Sequence, residues 1–223
     1  MIIFHEHKNM IWGTFCSKCG AECSVLQSAH HPWDQTTFGR IIRCSKCGSE
    51  NHVNQQAAAY FYNQRIYSYF NELSGVILDL GCGGGFISSY LLNQQKINLV
   101  FGLDQDKNCA LELTKLLSNH KFTFIHADIC KLHDLFAKQS IDYLVSRDVF
   151  MFIEDTDRYF DDISLLVKSG IRQMGWYMKN NPRMRNSLEP DQILGEYRKR
   201  GWHANLKDLE WYKSGYMIQA DRQ

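Results

Sequence analysis

Residues 76–85 read VILDLGCGGG: a short apolar run interrupted by one aspartate, then a cluster of glycines. An apolar run of this length, Val76–Leu80, suits a strand buried on both faces of a parallel sheet. Gly81, Gly83 and Gly85 let the chain turn tightly and let a ligand approach the backbone at the sheet's carboxyl edge. Phe86–Leu92 follows with helical character. Strand, glycine turn and helix in this order open a βαβ unit.

The same alternation continues outward. Asn98–Leu103 is the next strand, and Lys107–Asn119 has Ala110, Leu113, Thr114 and Leu117 at helical spacing. Further strands are expected at Phe122–His126, Ile141–Ser146 and Gln173–Met178, and helices at Asp155–Val167 and Asp191–Arg200. Asn205–Trp211 and Gly215–Ala220 read as a closing antiparallel hairpin, and the stretch from Pro182 to Pro190 as a loop after the fifth strand. The expected fold class is α/β: a doubly wound, mainly parallel sheet with helices on both faces.

A lone glycine triplet is weak evidence for any ligand. Here it follows a strand and precedes a helix, and the next strand ends in GLDQD. Asp104 lies 23 residues after Gly81, near the offset of about 20 at which an acid meets ribose hydroxyls. Two cofactor classes fit, dinucleotides and S-adenosylmethionine. Asp79, just before the first glycine, separates them. A carboxylate there suits the cationic amino-acid end of S-adenosylmethionine and would repel a pyrophosphate.

From about Tyr60 to the C-terminus the chain resembles the class I S-adenosylmethionine-dependent methyltransferases. DLGCGGG, GLDQD, HADI and IDYLVSRDVFMFIED stand in the order of their four motifs. The resemblance implies a seven-stranded Rossmann-like sheet with the last strand inserted antiparallel. It implies that Asp79 and the Gly81–Gly85 turn hold the methionine portion, that Asp104 takes the ribose hydroxyls and that Gln105 borders the adenine. Asp128 would accept from the adenine amino group, with Ile129 against the ring. Taken singly, Asp104 could equally be a helix cap and Asp128 a turn former.

Five of the eight cysteines fall in the first 47 residues, and CSKCG occurs twice, at 16–20 and 44–48. Each C-x-x-C-G turn aims two thiolates at one point, so Cys16, Cys19, Cys44 and Cys47 supply the four sulfurs of a tetrahedral Zn2+ site. Four thiolates leave no open position for water, so the zinc is expected to be structural. A redox C-x-x-C would need only one pair. Cys23 and His52 are nearby substitutes if a ligand is misassigned, while Cys82, Cys109 and Cys130 read as packing residues. The expected division is a zinc ribbon over 1–58 and a cofactor-binding domain over 59–223. The whole chain is similar to methyltransferases with an N-terminal zinc ribbon, many of which modify sugars or other small molecules. Ribosomal-RNA guanine methyltransferases also pair a zinc module with this fold, but their second metal pair usually includes a histidine and their linker differs.

Methyl transfer is an in-line displacement on an already activated methyl group, so the protein chiefly positions the acceptor and excludes water. Asp148, with Arg147 beside it, is the candidate for orienting the acceptor or removing its proton. Tyr60, Tyr62 and Arg65 form either a lid over the cofactor or an amphipathic helix packed on the sheet. No Asn-Pro-Pro-Tyr motif is present, which argues against methylation of adenine or glutamine amino groups by that site. The chain has 223 residues, with 25 Lys+Arg against 24 Asp+Glu. That balance argues against a strongly basic nucleic-acid wrapper. Between Lys168 and Arg200, however, eight cations face three acids, a stretch that could meet a phosphate-bearing acceptor or lie solvated. No apolar run approaches the ~18 residues of a membrane span, the first residues do not read as a signal peptide, and a cytoplasmic protein is expected. The leading expectation is a small-molecule or glycan-type acceptor. The alternatives are an RNA methyltransferase whose ribbon grips nucleic acid, and a non-catalytic zinc-ribbon interaction protein.

Overall fold

The computed structural model describes residues 2–6, 12–16, 18–19, 21, 41–52, 62–209, 212 and 215–222. Cys23, Tyr60, Trp211 and the expected 58/59 boundary lie outside them, and of His52 only the backbone is described. The chain forms two compact units, Met1–Ser68 with Glu210–Tyr212, and Tyr69–Leu209 with Lys213–Gln223.

The first unit carries two small antiparallel pairs. β1 (Ile2–Glu6) pairs with β2 (Trp12–Cys16), and β3 (Ile41–Arg43) with β4 (Glu50–His52). Each pair carries one CSKCG segment at a strand end. Residues 62–67 form a helix, α1, whose Tyr62 is buried and stacks on Tyr212, with ring centroids 6.2 Å apart.

The second unit is built on one seven-stranded sheet. Its strands are β5 (Gly75–Leu80), β6 (Ile97–Asp104), β7 (Phe122–His126), β8 (Ile141–Arg147), β9 (Val167–Trp176), β10 (His203–Leu209) and β11 (Gly215–Asp221), in the spatial order β10-β11-β9-β8-β5-β6-β7. β11 lies antiparallel between β10 and β9, while β9, β8, β5, β6 and β7 run parallel. This is the doubly wound, mainly parallel sheet with an inserted antiparallel last strand.

Alternation along β5 explains how one strand serves two layers. Leu78 and Leu80 join a buried cluster with helices α5 (Leu132–Leu135), α6 (Thr156–Leu166) and α7 (Pro190–Lys199), through residues such as Phe160, Ile163 and Tyr197. Asp79 points the other way, toward helix α2 (Phe86–Leu92), where it meets Ser88. Helix α7 begins with Pro190 at its first turn and a reciprocal Glu189–Gln192 capping box, which supplies acceptors for amide groups that a helix start leaves unbonded.

Two expected elements differ. The helix expected over Lys107–Asn119 is two four-residue helices, α3 (Cys109–Glu112) and α4 (Thr114–Leu117). Leu113 between them leaves helical geometry at ψ 3°, and the Thr114 hydroxyl bonds the Leu111 carbonyl at 2.6 Å, competing with the helical ladder. The strand expected at Gln173–Met178 begins six residues earlier, at Val167, directly after α6. Lys168–Ser169–Gly170 resembles a turn, but a Cβ on Gly170 would lie 2.8 Å from the Tyr143 ring and 2.5 Å from Asp221 Oδ1. The glycine there serves close packing within the sheet.

Candidate functional site

The carboxyl ends of β5, β6, β7 and β8 surround a cavity of about 560 Å³, within the roughly 300–1,000 Å³ range of small-ligand sites. Its wall includes Gly81, Asp104, Gln105, Asp128, Ile129, Arg147 and Asp148. Those seven expected residues come from four segments far apart in sequence. Asp79, Gly83 and Gly85 are not part of the wall.

The glycine turn is locked from beneath. Gly81 and Cys82 both donate their amide hydrogens to the Leu103 carbonyl, at 2.8 and 3.1 Å. Gly81 has φ +67°, and a Cβ there would sit 2.3 Å from Val149 Cγ2. Only glycine tolerates both the conformation and the contact. The Gly83 amide donates to Asp104 Oδ2 at 2.9 Å, and the Asp106 amide to Asp104 Oδ1 at 2.9 Å. Asp104 therefore ties the first turn to the end of the second strand while its carboxylate borders the cavity. Across from it, Asp128 accepts from the Cys130 amide at 2.9 Å and caps a 3₁₀ turn, Ile129–Lys131. Cys130, expected to be a packing residue, also lines the cavity.

Asp79 is 2% exposed and accepts a hydrogen bond from the Ser88 hydroxyl at 2.6 Å. Burial raises its carboxyl from 3.8 to about 6, against the Ser88 hydrogen bond and the Arg147 charge, which both pull it down. It is a buried acid beneath the turn.

Asp148 follows β8 at φ +61°, in the left-handed region, with its amide bonded to the Met174 carbonyl at 3.0 Å. A non-glycine residue held there stores strain of about 1–3 kcal/mol, a feature that clusters at functional sites. Beyond it, Val149, Phe152, Ile153 and Glu154 continue the wall, and Arg185 reaches it from the loop before α7. That loop is held by Asn186, whose amide donates to the carbonyls of Phe150 and Ile153 at 2.8 and 2.9 Å, and by the Arg185 amide on the Met151 carbonyl at 2.7 Å. Sequence reasoning missed Phe152 and Asn186, and singled out Arg185 only as one cation of the basic stretch. An aromatic residue and polar loop residues carry no periodic signal, and only the tertiary fold joins segments 36 residues apart.

The basic stretch is largely neutralised within the protein. Arg172 pairs with Asp221 at 2.8 Å, Arg200 with Glu196 and Asp161 at 2.6 and 2.7 Å, and Lys199 with Glu196 at 2.5 Å. Lys168 and Arg185 pair with Asp142 and Glu154, each at 3.6 Å, and Arg198 bonds the Ala204 carbonyl. Among the described residues Lys179, Arg183 and Arg198 are the three of the eight cations without a carboxylate partner.

In the first unit the sulfurs of Cys16, Cys19, Cys44 and Cys47 all lie within 4.8 Å of one another. Cys16 and Cys47 are 3.7 Å apart, as are Cys19 and Cys44. Four ligands at the usual Zn–S distance of about 2.3 Å define tetrahedral edges of about 3.8 Å. The two cysteine turns repeat one geometry: the Cys16 amide bonds the Ala21 carbonyl and the Cys44 amide the Ser49 carbonyl, both at 2.8 Å. Hydrogen bonds from Ser49 hold the Cys47 thiol below its ordinary range. The four thiols could hold a zinc ion, in a closed shell.

The sequence from 78 to 171 matches a family model described as a methyltransferase domain. That span covers the glycine turn, Asp104, Asp128 and Asp148. Residues 78–171 thus carry a methyltransferase domain, in the fold of the S-adenosylmethionine-dependent methyltransferases. No curated protein matches the sequence. Many solved structures share this fold. One is a chain in the complex of the Haloferax volcanii Trm112 methyltransferase activator with a methyltransferase (14% identity, 72% of this chain and 88% of that one, TM-score 0.62). Another is an S-adenosylmethionine-dependent methyltransferase from Aquifex aeolicus (14% identity, 72% and 89%, TM-score 0.57). A third is Haemonchus contortus phosphoethanolamine N-methyltransferase 2, in complex with phosphomonomethylethanolamine and S-adenosylhomocysteine (22% identity, 68% and 39%, TM-score 0.58). No helix among the described residues is long and apolar enough to cross a membrane.

Proposed function

We propose that this methyltransferase acts on a small-molecule or glycan-type acceptor, with a structural zinc ion held by Cys16, Cys19, Cys44 and Cys47 in a ribbon over residues 1–58 and the catalytic domain over 59–223. The observation that carries the catalytic reading is the meeting of Gly81, Asp104, Asp128, Ile129 and Asp148 around one cavity. In this reading Asp104 receives the ribose hydroxyls, Gln105 and Ile129 flank the adenine, and Asp128 accepts from its amino group. The glycine turn lets the methionine portion lie close to the backbone, with Asp79 beneath it. S-adenosylmethionine supplies an electrophilic methyl group that needs no further activation. Asp148 orients the acceptor and takes its proton where one must leave. Phe152 and Ile153 exclude water from that side.

Two facts favour a small acceptor over RNA: the net charge of +1, and the internal pairing of most cations between Lys168 and Arg200. The Haemonchus contortus protein of the same fold is in complex with a small molecule, phosphomonomethylethanolamine. Titration with S-adenosylhomocysteine tests the cavity. Asp104→Ala should weaken binding roughly 100-fold, from lost hydrogen bonds to a charged acceptor, while the protein stays folded. Unchanged affinity would remove the assignment. Bulk RNA should give no shift in a gel, and a steeply salt-dependent shift would favour the RNA reading instead.

A further inference from the structure

Arg147 differs from several other arginines of the same unit. Arg172, Arg198 and Arg200 each give their guanidinium hydrogens to a carboxylate or a carbonyl. Arg147 lies at the end of β8 and is half-buried, yet no acceptor among the described residues takes any of its side-chain N–H groups. Its guanidinium is stacked over the Phe86 ring, 4.4 Å from the centroid. Stacking fixes the plane of the fork but uses none of its donors. Phe86 is the first residue of α2, directly after Gly85, so the fork is anchored at the far end of the glycine turn. Arg147 also lines the cavity.

Asp79, the acid expected to hold the methionine portion, is 2% exposed, engaged by Ser88 and absent from the cavity wall. The methionine portion of S-adenosylmethionine carries two charges, an ammonium and a carboxylate. Of the two charged side chains beside this end of the turn, the one open to the cavity is the cation. A planar guanidinium matches a carboxylate with two parallel hydrogen bonds, and such charge-assisted pairs are about twice as strong as neutral ones. Left without an acceptor, a half-buried guanidinium is costly.

We infer that Arg147 is a cofactor-binding residue that grips the methionine carboxylate, so that this end of the cofactor is held by its anion on Arg147 rather than chiefly by its ammonium on Asp79. The inference rests on the S-adenosylmethionine reading above. It gives Arg147 a task separate from that of Asp148, its neighbour in sequence.

The test compares S-adenosylhomocysteine with its decarboxylated analogue, which keeps the nucleoside, the thioether and the ammonium. Calorimetric titration of the wild-type chain should show a preference of roughly 10- to 100-fold for the carboxylate-bearing compound. Arg147→Met keeps an unbranched stem against Phe86 and should abolish that preference. Affinity for S-adenosylhomocysteine should fall to that for the analogue, whose own affinity should not move. The unchanged analogue is the internal control for folding. Arg147→Lys, which keeps the charge without the fork, should retain part of the preference. The inference is overturned if Arg147→Met still prefers S-adenosylhomocysteine as the wild type does, or if it loses affinity for both compounds equally. A wild-type chain that binds neither compound refutes the cofactor reading itself, and the inference with it.

Discussion

Asp79 offers a measurable consequence of burying an acid under the glycine turn. Its carboxyl is raised from 3.8 to about 6, chiefly by burial, with Ser88 and Arg147 opposing. A rise of roughly two units at 1.36 kcal/mol each makes the ionised form about 3 kcal/mol less favourable in the folded protein than in the unfolded chain. The folded state holds this proton more tightly than the unfolded one. The associated stability is therefore fully present below about pH 3.8 and is lost as pH rises through about 6. Asp79→Asn removes the titration. Its side-chain carbonyl can still accept from Ser88, while its NH2 group is buried without an acceptor, a pH-independent cost of about 1–3 kcal/mol. The informative quantity is thus how the difference between the two proteins changes with pH. Urea midpoints should be measured for both from pH 4 to 8. All other titrating groups are common to the pair and cancel. Relative to the wild type, Asp79→Asn should gain about 2.5 kcal/mol across that window, or about 1.2 M urea at a slope near 2 kcal/mol/M. A difference that stays flat with pH would refute the assignment of a raised, buried carboxyl.

The pure protein should contain one zinc ion per chain. Chelation should abolish hydrogen-exchange protection of the Cys16 and Cys44 amides, which close the two cysteine turns, and metal analysis that finds no zinc would remove the site. Gly81→Ala should destabilise by about 2–5 kcal/mol, from the left-handed backbone and the overlap with Val149. Gly83→Ala, whose Cβ meets nothing within 4 Å, should cost only the backbone share of about 1–2 kcal/mol. Equal losses in the two variants, read by urea denaturation, would contradict the Gly81–Val149 contact.

Much of the catalytic unit was legible because its signals are local. Val76–Leu80, Phe86–Leu92 and Phe122–His126 carry their patterns within a few residues. Gly215–Ala220 was also found, within one residue at each end of the strand Gly215–Asp221. Errors arose where a local signal has two meanings. The strand expected from Gln173 begins at Val167 and runs through Gly170, where Tyr143 and Asp221 crowd the backbone. Lys107–Asn119 has helical periodicity, yet Thr114 turns its hydroxyl onto Leu111 and the helix divides.

The site shows the same division. The four CSKCG thiols and the order of Asp79, Asp104, Asp128 and Asp148 could be read along the chain, because metal knuckles and strand-end acids come from short segments with fixed spacing. Which of those acids face the cavity could not. Asp79 and Arg147 are 68 residues apart, and strand pairing alone brings them to one edge of the sheet. Alternation along β5 then turns Asp79 inward to Ser88, while Phe86 holds Arg147 at the wall. Which side chains meet across the sheet, and how much water each keeps, depends on packing between distant segments, and composition and spacing do not encode it.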